Sequence, residues 1–286
     1  MSSDYRDFRY RSSDGVDLFC REYLAPAARR TVVCLPGLTR NSRDFTNLAR
    51  HLARRYRVLT PDLRGRGLSS WDTNPTNYQP PVYYQDVLKL ISEQSRDPVA
   101  IIGTSLGGIL AMALAATAPA SIAGIVLNDI GPQIDAGGVA RIGQYVGLQT
   151  RVGTWPEAVA QAKANFGSAY PDLDEAGWLA FAQRGYREDQ AGVVVADYDP
   201  KIGDALRAAP ATIADLWPVW AALARTPALV IRGARSDILT TETVERMSRE
   251  KPDLERFEVA NRGHAPILDE PGVLPAIDAL LSRVLP

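Results

Sequence analysis

Short apolar runs alternate along the chain with segments of helical periodicity, and this alternation predicts an α/β fold. Tyr5–Tyr10 and Asp17–Tyr23 flank a turn that ends at Gly15, so they predict an opening hairpin. The runs that follow are almost continuously apolar, as expected of parallel strands buried on both faces. These runs are Thr31–Leu35, Arg57–Thr60, Val99–Ile102 and Ile122–Leu127, with helices predicted between them at about 45–55, 82–94 and 106–117.

The alternation stops at Gly131 and resumes after about Ala214. Between these positions, short amphipathic segments are separated by Gly and Pro, which predicts a helical insert. Beyond it the pattern predicts a seventh strand, a helix, an eighth strand and a closing helix, at Ala228–Arg232, 241–249, Glu255–Val259 and 270–284. We therefore expect one core built from 1–130 and 215–286, with residues 131–214 inserted between strands six and seven.

Composition places the chain among ordinary globular proteins. Of 286 residues, 46% are hydrophobic and 23% charged, which argues against the disordered, collagenous and membrane classes. The net charge of −1 gives no general attraction for nucleic acid or an anionic membrane surface. A charged ligand would have to be bound by local groups, so a small-molecule substrate is expected and neither nucleic acid nor membrane is expected as a partner.

The cysteines and the N-terminal sequence indicate a cytoplasmic protein. Cys20 and Cys34 lie in strand-like runs, where a free thiol behaves as a small buried hydrophobe, and their spacing indicates neither a disulfide framework nor a zinc site. The first residues lack the apolar core of a signal peptide, and no run approaches the ~18 apolar residues that span a bilayer. No metal or cofactor is expected, and a homodimer is compatible with the sequence.

The segment VAIIGTSLGGILAMALAA carries the most informative motif. A strand runs into Gly103-Thr104-Ser105-Leu106-Gly107 and a helix follows at once, which is the setting that a G-x-S-x-G nucleophile turn requires. Glycines flank the serine because the sharp turn leaves no room for a Cβ atom at those positions. The serine hydroxyl is thereby presented at a helix N-terminus, where negative charge is stabilised.

With this motif in this setting, the chain resembles the α/β-hydrolases over essentially its whole length apart from the insert. The resemblance implies a mostly parallel eight-stranded sheet flanked by helices, with the insert as a helical cap. It also implies a catalytic triad in the chain order nucleophile, acid, histidine. A Ser at the centre of the turn argues against the family's Asp and Cys nucleophile enzymes, so Ser105 is the expected nucleophile.

Only two histidines are present, which narrows the choice of general base. His264 follows the last predicted strand, where the family places its catalytic histidine. His51 precedes the serine turn and lies in an Arg-rich helix, so we expect it to be a solvated surface residue. His264 is therefore the expected base.

Two carboxylates compete for the third position of the triad. Asp237 follows the seventh strand and resembles the family's usual acid, whereas Asp129 ends the sixth strand, the alternative location. Both are expected at the carboxyl edge of the sheet, where sites of open α/β sheets form. Asp237 is preferred on its position, and Asp129 is kept as the alternative acid.

The resemblance also implies an oxyanion hole made of two main-chain N–H groups, those of Leu106 and Leu38. The family usually has His-Gly in the loop that carries the second donor, and this chain has Pro36 and Gly37 instead. The segment DLRGRGLSS, after the fourth strand, also resembles the family. It is interpreted as loop structure, because its Gly-x-Gly lacks the helix start of a phosphate site.

Aromatic residues of the insert are candidates for the substrate pocket, with Tyr145, Trp155 and Trp178 preferred among them. The expected activity is hydrolysis of small, mostly apolar carboxylic esters through an acyl-enzyme. Alternatives with the same triad are hydrolysis of a carbon–carbon bond in ring-fission dienols, lactone or thioester cleavage, and perhydrolysis. A hydrolase-like small-molecule receptor is the alternative outside enzymes. The acyl and alcohol parts of the substrate are left open.

Overall fold

The computed structural model of the chain describes residues 4–24, 30–208 and 215–286. Its strands are β1 (Tyr5–Arg11), β2 (Asp17–Tyr23), β3 (Thr31–Leu35), β4 (Arg57–Pro61), β5 (Val99–Thr104), β6 (Ile122–Asn128), β7 (Arg151–Gly153), β8 (Tyr186–Glu188), β9 (Val194–Ala196), β10 (Ala228–Gly233) and β11 (Glu255–Val259). Its α-helices are α1 (Thr46–Leu52), α2 (Pro80–Gln94), α3 (Leu106–Thr117), α4 (Ala136–Gly143), α5 (Trp155–Phe166), α6 (Glu175–Gly185), α7 (Lys201–Ala208), α8 (Trp217–Ala222), α9 (Thr241–Glu250) and α10 (Val273–Val284).

Eight of these strands form one sheet in the order β1-β2-β4-β3-β5-β6-β10-β11. Strand β2 pairs antiparallel with both of its neighbours, and the pairs from β4 to β11 are parallel. The predicted hairpin and mostly parallel eight-stranded sheet are confirmed. The order places β5 and β6 in the middle of the six parallel strands, so the residues that follow them lie at the centre of the carboxyl edge of this parallel part.

Both faces of the sheet are covered by helices, which explains the continuous apolar runs. In β5, Val99 and Ile101 pack in a cluster that includes residues of α2 and α3. Ala100 and Ile102 point to the other face, where residues of α1 and α10 cover them. Alternate side chains of one strand therefore enter two separate apolar layers, as the period of a strand requires.

The segment between β6 and β10 contains strands as well as helices. Helices α4 to α7 agree with the predicted helical content, but β7, β9 and β8 form a small antiparallel sheet that the sequence did not predict. Each of these strands has three residues, too few to show an alternating pattern. Residues 209–214, at the end of the predicted insert, lie outside the described residues.

The insert is tied to the core by hydrogen bonds next to the loop that follows β3. The buried carboxylate of Asp197 accepts hydrogen bonds from Arg43 Nη2 at 2.6 Å and from Asn41 Nδ2 at 3.2 Å. The Gly67 N–H donates to the Asp197 carbonyl at 3.0 Å, and the Asp199 N–H donates to the Gly65 carbonyl at 2.7 Å. Two core loops therefore have fixed positions relative to the insert.

Two smaller predictions are tested by the same structure. Cys20 and Cys34 are both buried and free, as their strand setting predicted. Within the described ranges, none of the helices is both long and apolar enough to cross a membrane.

Candidate active site

Ser105 is the single residue between β5 and α3, and the chain makes a tight turn there. Its backbone has φ 51° and ψ −115°, a conformation that costs free energy for a residue with a side chain. A Cβ atom added to Gly103 would lie 2.3 Å from the Gly107 carbonyl oxygen, and one added to Gly107 would lie 2.1 Å from the Leu35 carbonyl oxygen. Both glycines of the motif are therefore required by close backbone contacts, and together they allow the serine turn.

We expect Gly107→Ala to lower the free energy of unfolding by about 3 kcal/mol or more, because the new methyl group overlaps backbone that cannot move aside. The matched control is Gly143→Ala at the end of α4, where an added Cβ meets nothing within 4 Å. There the free energy of unfolding should stay unchanged or rise by up to about 1 kcal/mol, since alanine favours a helix over glycine. Urea unfolding of both variants measures the difference, and equal stabilities would contradict the packing argument.

His264 connects the serine to a buried carboxylate. Its Nε2 lies 2.8 Å from Ser105 Oγ, and its Nδ1 lies 2.8 Å from Asp129 Oδ2. A carboxylate can only accept, so Nδ1 carries the proton and Nε2 is free to accept from the serine hydroxyl. The side chains of His264 and Asp129 are almost completely shielded from solvent. The three residues therefore form one continuous, sheltered chain of hydrogen bonds.

Asp129 is held by donors on both of its oxygens. It directly follows β6, with a φ of 57°, and its Oδ1 accepts a hydrogen bond of 2.7 Å from the Gly233 N–H. Its Oδ2 accepts from Ser236 Oγ at 2.6 Å as well as from His264. These contacts fix the orientation of the carboxylate, and a fixed carboxylate beside Nδ1 is what orients the imidazole of a triad.

The structure corrects the preference for Asp237 as the partner of His264. Both oxygens of Asp237 accept from Arg141 of α4, at 2.5 and 3.0 Å, and the side chain is about two-fifths exposed. Burial alone would raise the pKa of Asp237, but hydrogen bonds from Arg141 and its positive charge leave that pKa below the usual value. The carboxylate faces the insert, and the neighbouring Ser236 is the residue of this loop that contacts Asp129.

The loop after β3 lies against the serine turn, as expected of an oxyanion-hole loop. A Cβ atom added to Gly37 would lie 3.8 Å from the Ser105 Cβ, and Leu38 lines a cavity together with Ser105 and Leu106. Leu106 is the first residue of α3, where main-chain N–H groups have no partner within the helix. The two predicted donors are thus neighbours of the nucleophile.

Two cavities meet at Ser105. The smaller, of about 90 Å³, lies between His264 and the insert and is walled by Tyr145, Phe166, Tyr170 and Phe181. The larger, of about 690 Å³, extends from Ser105 between α2 and the insert helices α4 and α7. Its wall is mostly apolar and includes Ile109, Ile130, Ile134, Val139, Ile142, Ile202 and Ala205. An extended apolar group therefore has room on one side of the serine, and only a small group has room on the other.

Of the three preferred aromatic residues, only Tyr145 is placed at the cavities. Trp155 donates its indole N–H to Glu188 at 2.7 Å and lines neither cavity. Trp178 is buried edge-to-face against Tyr170 and Phe181, with ring centroids 6.1 and 5.7 Å away, so it supports the wall from behind. Neither Trp155 nor Trp178 lines either of these two cavities, so the structure does not place them where substrate contact was expected.

The apolar wall of the larger cavity was missed by sequence reasoning, although one signal was available. Val139 and Ile142 lie three residues apart on α4, a spacing that puts both on one helix face. Arg40 and Asp44, which both line the smaller cavity, are paired with each other, since Arg40 donates two hydrogen bonds to Asp44, at 2.6 and 2.8 Å. In the described part of the chain, no group of three or more His, Cys, Asp or Glu side chains is arranged to hold a metal ion.

The sheet order and the serine turn after β5 define an α/β-hydrolase fold. A sequence profile of the alpha/beta hydrolase family matches residues 32–276, and the chain belongs to this family. The crystal structure of an alpha/beta hydrolase from Novosphingobium aromaticivorans superposes with a TM-score of 0.93 and 43% identity, covering 99% of this chain and all of that one.

Two curated relatives that match most of the chain carry hydrolase names. Over 269 residues, the chain is 35% identical to the 3-hydroxybutyrate-oligomer hydrolase of Cupriavidus necator, covering 87% of each chain. Over 230 residues, it is 26% identical to the 2-(acetamidomethylene)succinate hydrolase of Mesorhizobium japonicum, covering 80% of this chain and 79% of that one. The chain is accordingly a hydrolase.

Proposed function

We propose that the protein is a serine hydrolase that cleaves carboxylic esters through an acyl-enzyme, with Ser105, His264 and Asp129 as its triad. The observation that carries the proposal is the hydrogen-bond chain from Asp129 through His264 to Ser105, with both contacts at 2.8 Å. Nucleophile, base and orienting carboxylate are thereby in hydrogen-bond contact in the order that acyl transfer requires.

The first half of the reaction forms the acyl-enzyme. His264 Nε2 takes the hydroxyl proton as Ser105 Oγ bonds to the ester carbonyl carbon, and the carbonyl oxygen becomes an oxyanion. Main-chain N–H groups of Leu38 and Leu106 stabilise this charge, helped by the N-terminus of α3. The tetrahedral intermediate then collapses, the carbon–oxygen bond to the alcohol breaks, and His264 gives its proton to the leaving alcohol.

The second half repeats these steps with water as the nucleophile. His264 accepts a proton from water as its oxygen bonds to the acyl carbon, and the second oxyanion occupies the same donors. When this intermediate collapses, the bond to Ser105 Oγ breaks and His264 returns its proton to the serine. Asp129 stays ionised throughout, keeps the proton on Nδ1 and stabilises the imidazolium.

Substrate binding follows from the two cavities. The larger apolar cavity fits the longer, mostly apolar part of an ester, and the smaller one beside His264 fits a short group. The insert, predicted at 131–214, would act as a cap, because Val139, Ile142 and Ile202 close the larger cavity from above the sheet edge.

The Cupriavidus relative directs the proposal to one class of ester. Oligomers of a hydroxy acid are joined by ester bonds, and each unit has a short apolar segment between them. Such a chain matches an elongated, mainly apolar cavity that begins at the nucleophile. Short hydroxyalkanoate oligoesters are therefore the substrates we expect to be cleaved best.

A substrate panel tests the proposal together with the cavity assignment. The panel contains p-nitrophenyl esters from acetate to decanoate, a 3-hydroxybutyrate dimer and trimer, a lactone, a thioester and a ring-fission dienol. We expect the highest kcat/KM on esters with an extended acyl or hydroxyacyl chain. Ala205→Phe, which narrows the larger cavity, should lower kcat/KM about 10-fold or more on long esters while changing it little on acetate.

The matched control for that variant is Ala160→Phe, at an exposed position of α5 away from both cavities. It should leave the chain-length profile unchanged. The cavity assignment would be wrong if both variants gave the same profile. The ester proposal would be wrong if the dienol were hydrolysed and none of the esters were.

A further inference from the structure

A buried arginine lies directly behind the proposed oxyanion-hole loop. The side chain of Arg66 is inaccessible to solvent, and its Nε donates a hydrogen bond of 2.8 Å to the Leu38 carbonyl oxygen. Its Nη1 donates to the Arg64 carbonyl oxygen at 2.6 Å, and its guanidinium carbon lies 4.6 Å from the centre of the Tyr83 ring. The guanidinium is thus held by two carbonyls and an aromatic face.

The contrast with Arg64, two residues earlier, shows what is unusual about Arg66. Arg64 is equally buried but forms ion pairs with Asp14, Asp72 and Asp86. Within the described ranges, Arg66 forms no ion pair with a carboxylate. A buried charge without a counter-ion costs free energy, so fold stability alone accounts poorly for a cation at this position.

The main chain around Arg66 is fixed, so the guanidinium has a defined position. Gly65 and Gly67 have φ of 79° and 54°, and the Arg66 N–H donates to the Leu63 carbonyl at 3.0 Å. Arg66 also forms an isolated antiparallel bridge with Tyr198 of the insert. The DLRGRGLSS loop therefore connects the insert, through Arg66, to the Leu38 carbonyl.

We propose that Arg66 is a positioning residue for ester hydrolysis that, by holding the Leu38 carbonyl, helps to direct the Leu38 N–H toward the oxyanion. Holding the Leu38 carbonyl limits rotation about the Leu38 backbone and so helps to fix the direction of its N–H. The loop has Pro36 and Gly37 where related enzymes have His-Gly, and Arg66 supplies a support from outside the loop. Its uncompensated positive charge also favours negative charge nearby in a site of low dielectric. This inference rests on the proposed function.

The test compares Arg66→Lys with Arg64→Lys on matched oxygen and thionoester substrates. Sulfur accepts hydrogen bonds weakly, so the ratio of kcat/KM for an ester over its thionoester reports on the oxyanion donors. Arg66→Lys should lower kcat on the ester about 10- to 100-fold with KM within about 2-fold, and should lower the ratio about 10-fold, since loss of a whole donor costs about 10² to 10³. Arg64→Lys should leave the ratio within about 2-fold even where its melting temperature falls.

The outcomes separate the inference from the proposed function. A folded Arg66→Lys with the wild-type ratio, or an equal fall in Arg64→Lys, would overturn the positioning role. Arg66→Gln replaces Arg66→Lys if the latter does not fold, and Asp14→Asn replaces Arg64→Lys. If neither Arg66 variant folds, the residue serves stability and the inference is wrong. Ester turnover by Ser105→Ala at the wild-type rate would instead contradict the proposed function, and the inference that rests on it would also be wrong.

Discussion

Replacing Asp129 by Asn is expected to lower kcat about 10⁴-fold, whereas Asp237→Asn should change it by no more than about 3-fold. Asp129 is the carboxylate in contact with His264, at 2.8 Å, and Asp237 binds Arg141 instead. The two substitutions are chemically identical and lie on neighbouring loops, so each is the control for the other.

The large effect at Asp129 follows from the tautomer of His264. An asparagine can turn its NH₂ group toward Nδ1, which moves the ring proton to Nε2. That nitrogen then no longer accepts the proton of Ser105, and no negative charge remains to stabilise the imidazolium. Because the amide nearly matches the carboxylate in size, the fold should persist.

The small effect at Asp237 follows from its exposure. The Arg141 pair lies partly in solvent, where such pairs contribute about 0–1 kcal/mol. Its loss would loosen the contact between α4 and the core without touching the reacting groups. Steady-state kinetics with p-nitrophenyl butyrate, alongside melting temperatures, compares the two variants. If Asp237→Asn lowered kcat as much as Asp129→Asn or more, the acid of the triad would instead be Asp237, in the loop after β10.

The core of the fold was predictable because its signals are local. The bounds of β2, β3 and β11 agree with the predicted strands, and α3 begins and ends at the residues predicted for this helix. Continuous apolar runs appear wherever helices cover both faces of the sheet. The three-residue strands of the insert carry no such period, so only tertiary pairing reveals them.

The acid was not decidable from sequence, because Asp129 and Asp237 follow strands β6 and β10, which are adjacent and parallel. Both positions reach the same edge of the sheet. Two features distinguish the two carboxylates: the backbone of Asp129, which has a φ of 57°, and the position of Arg141 on the insert, which pairs with Asp237. Neither feature is visible as a pattern in the sequence. The aromatic residues of the insert could not be assigned to a cavity from sequence either, because the apolar pattern of a helix does not show which cavity its apolar face lines.

Ser105→Ala is expected to reduce turnover of the best ester by about 10⁶-fold, because the substitution removes the atom that bonds to the acyl carbon. His264, Asp129 and the two main-chain donors remain, so a small excess over the rate in buffer should persist. Alanine loses only Oγ and keeps the Cβ that this turn already accommodates. The variant should therefore fold and bind the substrate.

Transfer of the acyl group through Ser105 is tested most directly by covalent labelling combined with turnover. Wild type and Ser105→Ala are incubated with an alkyl fluorophosphonate, and intact mass, labelled peptide and residual ester turnover are measured on the same samples. We expect one phosphonyl group on Ser105 of the wild type, turnover lost in proportion to labelling, and in the variant no label and only the small residual turnover. Ester turnover by Ser105→Ala at the wild-type rate, or labelling of another residue that abolishes turnover while Ser105 stays unmodified, would contradict it.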